Sequence, residues 1–448
     1  MNQSVRSGMC AAFAALACFG CGDGDHVPSS SIEASRGGLF GGPLAGTLTV
    51  YAVDSDTGAP IPGATVWLGA GAEAKEVGHT ANGGKLVRSD LADEPQTVSV
   101  RATGYAAASW SFVKSSVVVI PLESEAERPS NADVTVAIAG WSDLPPLTAG
   151  TYRVARFAYS QPYDLETLAV STGDPMPSCT QFTGSASSCS VTLSVPIDSS
   201  ALLVTIAEGK DAGTPDDPTD DVLTMTGLGI ATKLALRPAT PLSLSLALLD
   251  ARLTAQARIA APSADIFQEV VGVPGITLDG QVLLYPSLGS RVTSFLVPTA
   301  AGIFENAKLW AVSTADNGSS TDWTRSYERG VTPPSDANER VTLSTSELLA
   351  LPSIFARLSS DYGLTTPANT ARLEFSTPRG EQLKVLLFPT QEAYVLPSGV
   401  LDEAPDTASI AAFDVELDPT SFEFRDLTRY ATHIAYARTE LSPSTHTQ

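Results

Sequence analysis

The residues able to do chemistry are few and scattered. Of the four histidines, His26 and His446 lie near the two ends of the sequence, His79 precedes Thr80 in a loop-like stretch, and His433 alternates out of phase with Tyr430, Thr432 and Ile434. No G-x-S-x-G, no H-E-x-x-H and no phosphate-cradling glycine loop is present. Nucleophilic catalysis needs an activated group and a second group to activate it. With so few histidines, a triad or a histidine metal site would have to be assembled between distant segments. The reading is therefore a protein that is not an enzyme. Its nearest catalytic rival is a carboxylate-dependent hydrolase, because paired carboxylates are easily found in so acidic a chain.

Hard oxygen ligands concentrate at one place. Residues 211–221 carry Asp211, Asp216, Asp217, Asp220 and Asp221, the donor type calcium prefers. Two prolines interrupt the run and the D-x-D-x-D-G spacing is missing, so a solvated acidic loop competes with the calcium reading. Calcium is the one cofactor these residues point to. Asp54 and Asp56 are similar in kind, but a turn accounts for them. Two aromatics offer a different chemistry. If Ala64, Val66 and Leu68 face a core, Trp67 faces out, as Tyr51 does opposite Leu48 and Val50. Should a hairpin join these strands, Tyr51 and Trp67 would present neighbouring rings for stacking on a sugar or filling a partner's pocket. The competing reading is that a neighbouring domain covers them.

The elements that must position these groups are strands. Segments of period 2, rich in Val, Thr, Leu, Tyr and Ala, alternate with Gly/Pro/Asp/Ser clusters, which predicts an all-β chain of tandem small sandwiches. One short helical turn is predicted at residues 344–351, with Ser344 as N-cap. A chain of 448 residues is long enough for three or four domains. The expected division is a leader over 1–20, a flexible tether over 21–45, and sandwiches over 46–123, 132–250, 251–351 and 367–440. For the second and third of these, distant repetition is one reading and chance likeness the other. Residues 191–196, 203–207 and the acidic loop find counterparts in 292–298, 308–312 and the polar loop 316–322, in pattern more than in identity. The net charge of −22 argues against nucleic acid and against direct attraction to anionic lipid.

The first sandwich has a recognisable order of pieces. Asp54-x-x-Thr57-Gly58 leads to Pro60-Ile61-x-Gly63-Ala64-x-Val66-x-Leu68. Thr80 with Gly83 and Gly84 follows, then Val98-x-Val100 with Gly104-Tyr105, then the apolar strand 116–122. This resembles the carboxypeptidase regulatory-like domain, a small transthyretin-like sandwich, departing from it at Glu94-Pro95-Gln96, where many members carry glycine and an aromatic residue. The resemblance implies a module without peptidase residues. In the last segment, Leu427 and Tyr430 resemble the tyrosine corner of a fibronectin type III-like sandwich, at shorter spacing than usual.

At the other end, Arg6 precedes the apolar run 9–19, which is too short to span a bilayer and stops at Gly20-Cys21. This resembles a bacterial lipoprotein signal, with Cys21 as the lipidated residue. Cys18 stands where the family prefers leucine and could itself be the modified residue; a cleaved signal without lipid is the other alternative. The resemblance implies an oxidising envelope. There, loss of Cys10 and Cys18 with the leader and acylation of Cys21 leave Cys179 and Cys189 as one pair, read as a disulfide closing a local loop, with zinc the weaker reading. Gly22 after Cys21 implies an outer-membrane destination, its face undetermined. Together these give a non-catalytic lipid-anchored envelope protein that binds or scaffolds an unidentified protein or glycan. A carbohydrate-binding lipoprotein is the first alternative.

Overall fold

A computed structural model of the chain describes residues 37–125, 131–162, 179–184, 188–197, 199–210, 221–237, 240–262, 270–278, 281–286, 294–316, 321–358, 360–424, 427 and 430–441. The described residues are all-β, with a few single helical turns between strands. The strands group into four two-layered units. Unit 1 holds β1 (Gly38–Pro43), β2 (Leu48–Asp54), β3 (Thr65–Leu68), β4 (Lys75–His79), β5 (Lys85–Arg88), β6 (Gln96–Arg101), β7 (Ala107–Val113) and β8 (Ser115–Leu122). Unit 2 holds β9 (Asn131–Ala139), β10 (Leu147–Tyr159), β11 (Gln161–Pro162), β12 (Cys179–Gly184), β13 (Ser190–Pro196), β14 (Ala201–Lys210), β15 (Val222–Thr232) and β16 (Leu242–Ala247). Unit 3 holds β17 (Thr254–Ala260), β18 (Val270–Leu278), β19 (Gln281–Leu284), β20 (Phe295–Pro298), β21 (Lys308–Asp316), β22 (Trp323–Val331) and β23 (Arg340–Ser344). Unit 4 holds β24 (Ser353–Leu358), β25 (Asp361–Thr365), β26 (Thr370–Ser376), β27 (Gln382–Leu387), β28 (Ala393–Val395), β29 (Thr407–Phe413), β30 (Phe422–Glu423) and β31 (His433–Glu440).

One topology recurs. Counting from β2 in unit 1, β9 in unit 2 (passing over the two-residue β11) and β17 in unit 3, one sheet runs third–second–fifth–sixth strand and the other fourth–first–seventh. The seventh strand pairs parallel with the first in all three: β8 with β2, β16 with β9, β23 with β17. Unit 4 keeps the first sheet as β27-β26-β29-β31. Its other sheet is closed by β24, which precedes the first strand β25 and therefore lies antiparallel to it. In an immunoglobulin-type sandwich the second and third strands lie in opposite sheets; in unit 4 β26 and β27 are hydrogen-bonded neighbours. Tyr430 is 56% exposed while Leu427 is buried, so the tyrosine of the expected corner is not packed into the sandwich.

The order of the units in space is not their order in the chain. A thirteen-stranded sheet runs β11-β19-β18-β21-β22-β31-β29-β26-β27-β7-β6-β3-β4, so unit 4 lies between units 3 and 1. Two seams join the edges: β22 pairs antiparallel with β31, with Trp323 opposite Tyr436 and Ser326 opposite His433, and β27 pairs parallel with β7 from Leu383/Ala107 to Leu386/Trp110. Edge strands that would expose unpaired amides and carbonyls are thereby covered within one chain. Unit 2 meets unit 3 by its sheet face, with Ala158, Leu203, Met225 and Leu228 entering the apolar core that also holds Phe295, Val297 and Leu309.

The connection between β29 and β31 wedges the seams. Phe422 and Phe424 stack on Trp110 with ring centroids 5.5 and 5.7 Å away, and Phe388 meets Phe422 edge-on at 5.1 Å. Leu417, Leu427 and Ala431 complete one core that continues from Trp310 and Val312 of unit 3 to Leu48 and Val50 of unit 1. The same wedge recruits part of the expected tether. Residues 38–43 form β1, which pairs with β8 on one side and β30 on the other. Leu39 is fully buried, and a Cβ on Gly38, whose φ is +147°, would come within 2.4 Å of the Phe422 carbonyl oxygen. A glycine-rich stretch thus serves close backbone approach here rather than flexibility.

Residues 344–351 are not helical. The Ser344 amide donates to the Glu328 carboxylate, the Thr345 amide donates to the Ala260 carbonyl at 3.2 Å, and Ser346 is held by its side chain. Tertiary partners claim the groups that a short helix would use, and so short a helix has little stability of its own.

Candidate functional site

The motif residues of unit 1 meet around one carboxylate. Asp54 accepts from the Thr57 amide and hydroxyl, both at 2.8 Å, from the Asp56 amide at 3.1 Å and from the Tyr105 hydroxyl at 3.2 Å. Thr80 donates its hydroxyl to the Ile61 carbonyl at 2.6 Å and accepts from the Ala64 amide at 2.9 Å. Asp54, Thr57 and Tyr105 therefore bind one another, Thr80 ties Ile61 to Ala64 beside them, and the turn reading of Asp54 and Asp56 holds.

The Tyr51–Trp67 pair is not assembled. β2 and β3 belong to opposite sheets, because residues 55–64 cross between layers instead of closing a hairpin. Tyr51 is partly exposed, its ring facing the Lys85 ammonium 5.6 Å from the centroid across the β2–β5 pair. Trp67 does face away from the core of unit 1, but unit 4 covers it. It is 8% exposed and packs in a cluster with Tyr394, Leu396 and Val400. The covered-aromatic alternative is what the packing realises at Trp67.

Of the remaining sequence candidates, Cys21, Asp211, Asp216, Asp217 and Asp220 lie outside the described residues. Asp221 is buried immediately before β15, and among the described residues no group of three or more His, Cys, Asp or Glu side chains could hold a metal ion. Cys179 and Cys189 form a disulfide with Cα atoms 5.7 Å apart. It ties the start of β12 to the residue before β13, and so links the two layers of unit 2 beside Trp141.

Electrostatic density concentrates at the seams. Where unit 1 meets unit 4, Arg101 donates to both oxygens of Asp402 at 2.7 and 2.8 Å and to Glu381 at 2.9 Å. The guanidinium fork holds the Asp402 carboxyl down at about 2. Lys384 and Arg372 both face Glu123 across the same seam. At the other seam, Trp323, Arg325, Tyr327 and Arg329 alternate along one face of β22. Arg325 lies 3.9 Å over the Trp323 ring, which stacks on Tyr436 at 5.4 Å, and Arg329 lies 5.0 Å from both Trp310 and Tyr327. Burial pulls Arg325 below the ordinary arginine value and pushes the Tyr327 phenol up.

A polar constellation that sequence reading missed sits at the end of this seam. His433 Nδ1 lies 3.0 Å from Asp414 Oδ2, and His433 Nε2 lies 2.8 Å from Ser346 Oγ. Thr432 donates its hydroxyl to Asp414 at 3.1 Å, and the buried Ser326 hydroxyl lies 3.1 Å from Ser346 Oγ. β31 delivers His433, the residue after β29 delivers Asp414, and the loop after β23 delivers Ser346. Ser346 stands 68 positions from Asp414 and 87 from His433; the β29–β31 pairing sets Asp414 beside His433, and the β22–β31 register brings both to Ser346.

No protein-family model matches the chain, and no curated protein matches its sequence. Among solved structures, the chain is similar to the Bacillus anthracis TIE protein, at 10% identity and TM-score 0.15, over 67% of this chain and 51% of that one. It is also similar to the major pilin subunit of Bacillus cereus, at 11% identity and TM-score 0.16, over 78% of this chain and 95% of that one. The chain spans about half the length of the TIE protein. At these TM-scores the likenesses carry no argument about the molecule.

Proposed function

We propose that the protein is a lipid-anchored scaffold of the bacterial envelope, held to the outer membrane through Cys21 and presenting its β-sandwiches to a protein or glycan partner. The observation that carries this reading is the thirteen-stranded sheet. Units 3, 4 and 1 share backbone hydrogen bonds and a continuous apolar core, so they move as one body rather than as beads on linkers, which suits a rigid presenting platform. The Cys179–Cys189 disulfide fits export to an oxidising compartment. No helix among the described residues is long and apolar enough to cross a membrane. The seven-strand order of unit 1, with Asp54, Thr57 and Tyr105 bonded together, supports assigning it to the carboxypeptidase regulatory-like modules, which carry no peptidase residues. Glycan stacking on Tyr51 and Trp67 is not part of the proposal, since Trp67 is covered.

The test is expression of the full chain with azido-palmitate feeding, followed by membrane fractionation and pull-down of solubilised envelope and insoluble polysaccharide. The proposal expects lipid on the wild type, none on Cys21→Ser, and retention of an envelope component by the anchored protein. A wild-type chain that stays unlabelled in the soluble fraction and retains nothing would overturn it.

A further inference from the structure

We propose that Ser346, His433 and Asp414 form a nucleophilic site that cleaves carboxylic esters. This goes beyond scaffolding and rests on the seam geometry alone. A serine nucleophile needs a base within hydrogen-bond reach, and the base needs an orienting group behind it. Both contacts are present, at 2.8 and 3.0 Å. The direction of the network follows from its donors and acceptors. An ionised carboxylate only accepts, so Asp414 fixes the imidazole proton on Nδ1 and leaves the Nε2 lone pair facing the Ser346 hydroxyl. The tautomer is the one that can accept the serine proton. Thr432 binds the same Asp414 oxygen from a second side.

Burial fits the roles. The His433 side chain is only 13% exposed, anchored on a strand in the middle of the thirteen-stranded sheet, whereas Ser346 is exposed at the end of the network and open to a substrate. Ser326, fully buried on β22, supports Ser346 from below. The amides of Ser346 and Glu347 make no hydrogen bond among the described residues, which leaves two donors beside the nucleophile for a developing oxyanion. Glu328, bonded to the Ser344 amide two residues before Ser346, and Glu347, next to Ser346 in the chain, add carboxylates near the nucleophile. Their charge selects a neutral ester over an anionic one.

The chemistry balances without a further reactant besides water. Ser346 Oγ bonds to the acyl carbon while its proton moves to His433 Nε2. The ester C–O bond breaks, and that proton leaves with the alcohol. Water then attacks the acyl-serine, giving one proton to Nε2. The carboxylic acid departs, and the proton returns to Ser346 Oγ.

The experiment is labelling of the full chain with an alkyl fluorophosphonate, read by intact mass and peptide mapping, with p-nitrophenyl acetate hydrolysis as the turnover assay. The expected result is one phosphonyl adduct on Ser346, lost in Ser346→Ala. Labelling should slow about 100-fold or more in His433→Ala. Asp414→Asn, which leaves the backbone pairing of β29 and β31 untouched, keeps the test open if His433→Ala fails to fold. Folded wild-type protein without an adduct on Ser346, or with labelling unchanged in Asp414→Asn and folded His433→Ala, would show that the network only fastens the seam and would overturn the proposal.

Discussion

In unit 2 the outward face of the four-stranded sheet is lined on β14 by Leu203, Thr205 and Ala207. The corresponding stretch of β21 in unit 3 carries Lys308, Trp310 and Val312, following the echo between residues 203–207 and 308–312. The two units share their strand order and pairing, yet they are fastened in different ways. Unit 2 has a covalent link between its layers, and β15 is left at the edge of its own sheet. Unit 3 has no disulfide among its described residues, but its edge strand β22 continues into β31, and its outward aromatics are covered by the wedge from unit 4. Small outward side chains let a sheet seat flat on a neighbour's core. Large ones require a neighbour to bury them, and the stability of unit 3 is thereby bound to unit 4.

The sharpest way to break this comparison is substitution at the two equivalent positions. Trp310→Ala removes a 1%-exposed indole and is expected to cost about 3–5 kcal/mol in urea unfolding, with units 3 and 4 losing stability together. Thr205→Val is expected to do the opposite. The Thr205 hydroxyl is buried without a hydrogen-bond partner, so a near-isosteric apolar side chain should gain about 1 kcal/mol. A Trp310→Ala cost no larger than the Thr205→Val effect would mean that unit 3 does not depend on its cover. Next in size is the disulfide. Replacing Cys179 and Cys189 by serine is expected to lower the stability of unit 2 by about 2–3 kcal/mol. Limited proteolysis should then open unit 2 first, with the sheet of units 3, 4 and 1 left intact. Simultaneous loss of all four units would merge the two modes of fastening into one.

How much of this was legible follows from the range of each interaction. Alternation along residues 131–139 reads directly as β9, where Ala132, Val134, Val136 and Ile138 are buried and their neighbours are not. The turn chemistry of unit 1 was equally local, since Asp54 and Thr57 are three residues apart. The side chains that failed the reading are those whose environment comes from far along the chain. Trp67 points out of its own unit, as period 2 requires, but what it meets is residues 394–400. Residues 38–43 have the composition of a linker and become a strand because β8 and β30 supply edges on both sides. His433 meets Asp414 through the β29–β31 pairing of its own unit, but Ser346 reaches it only through the pairing of β22 with β31 between units. Non-local sheet pairing leaves no periodic trace in the sequence, so neither the spatial order of the units nor the seam constellation was accessible from it.

The central claim is that unit 4 is inserted between units 3 and 1 and that its two edge strands are interior to one sheet. Amide hydrogen exchange on the intact chain tests this most directly. The account predicts that amides of β31, β27, β22 and β7 are protected as strongly as those of the central strands β26 and β29, while β15 and β4, at sheet edges, exchange faster. Rapid exchange along β31 and β27, equal to that of β15 and β4, would contradict the continuous sheet and return the molecule to separate sandwiches in chain order.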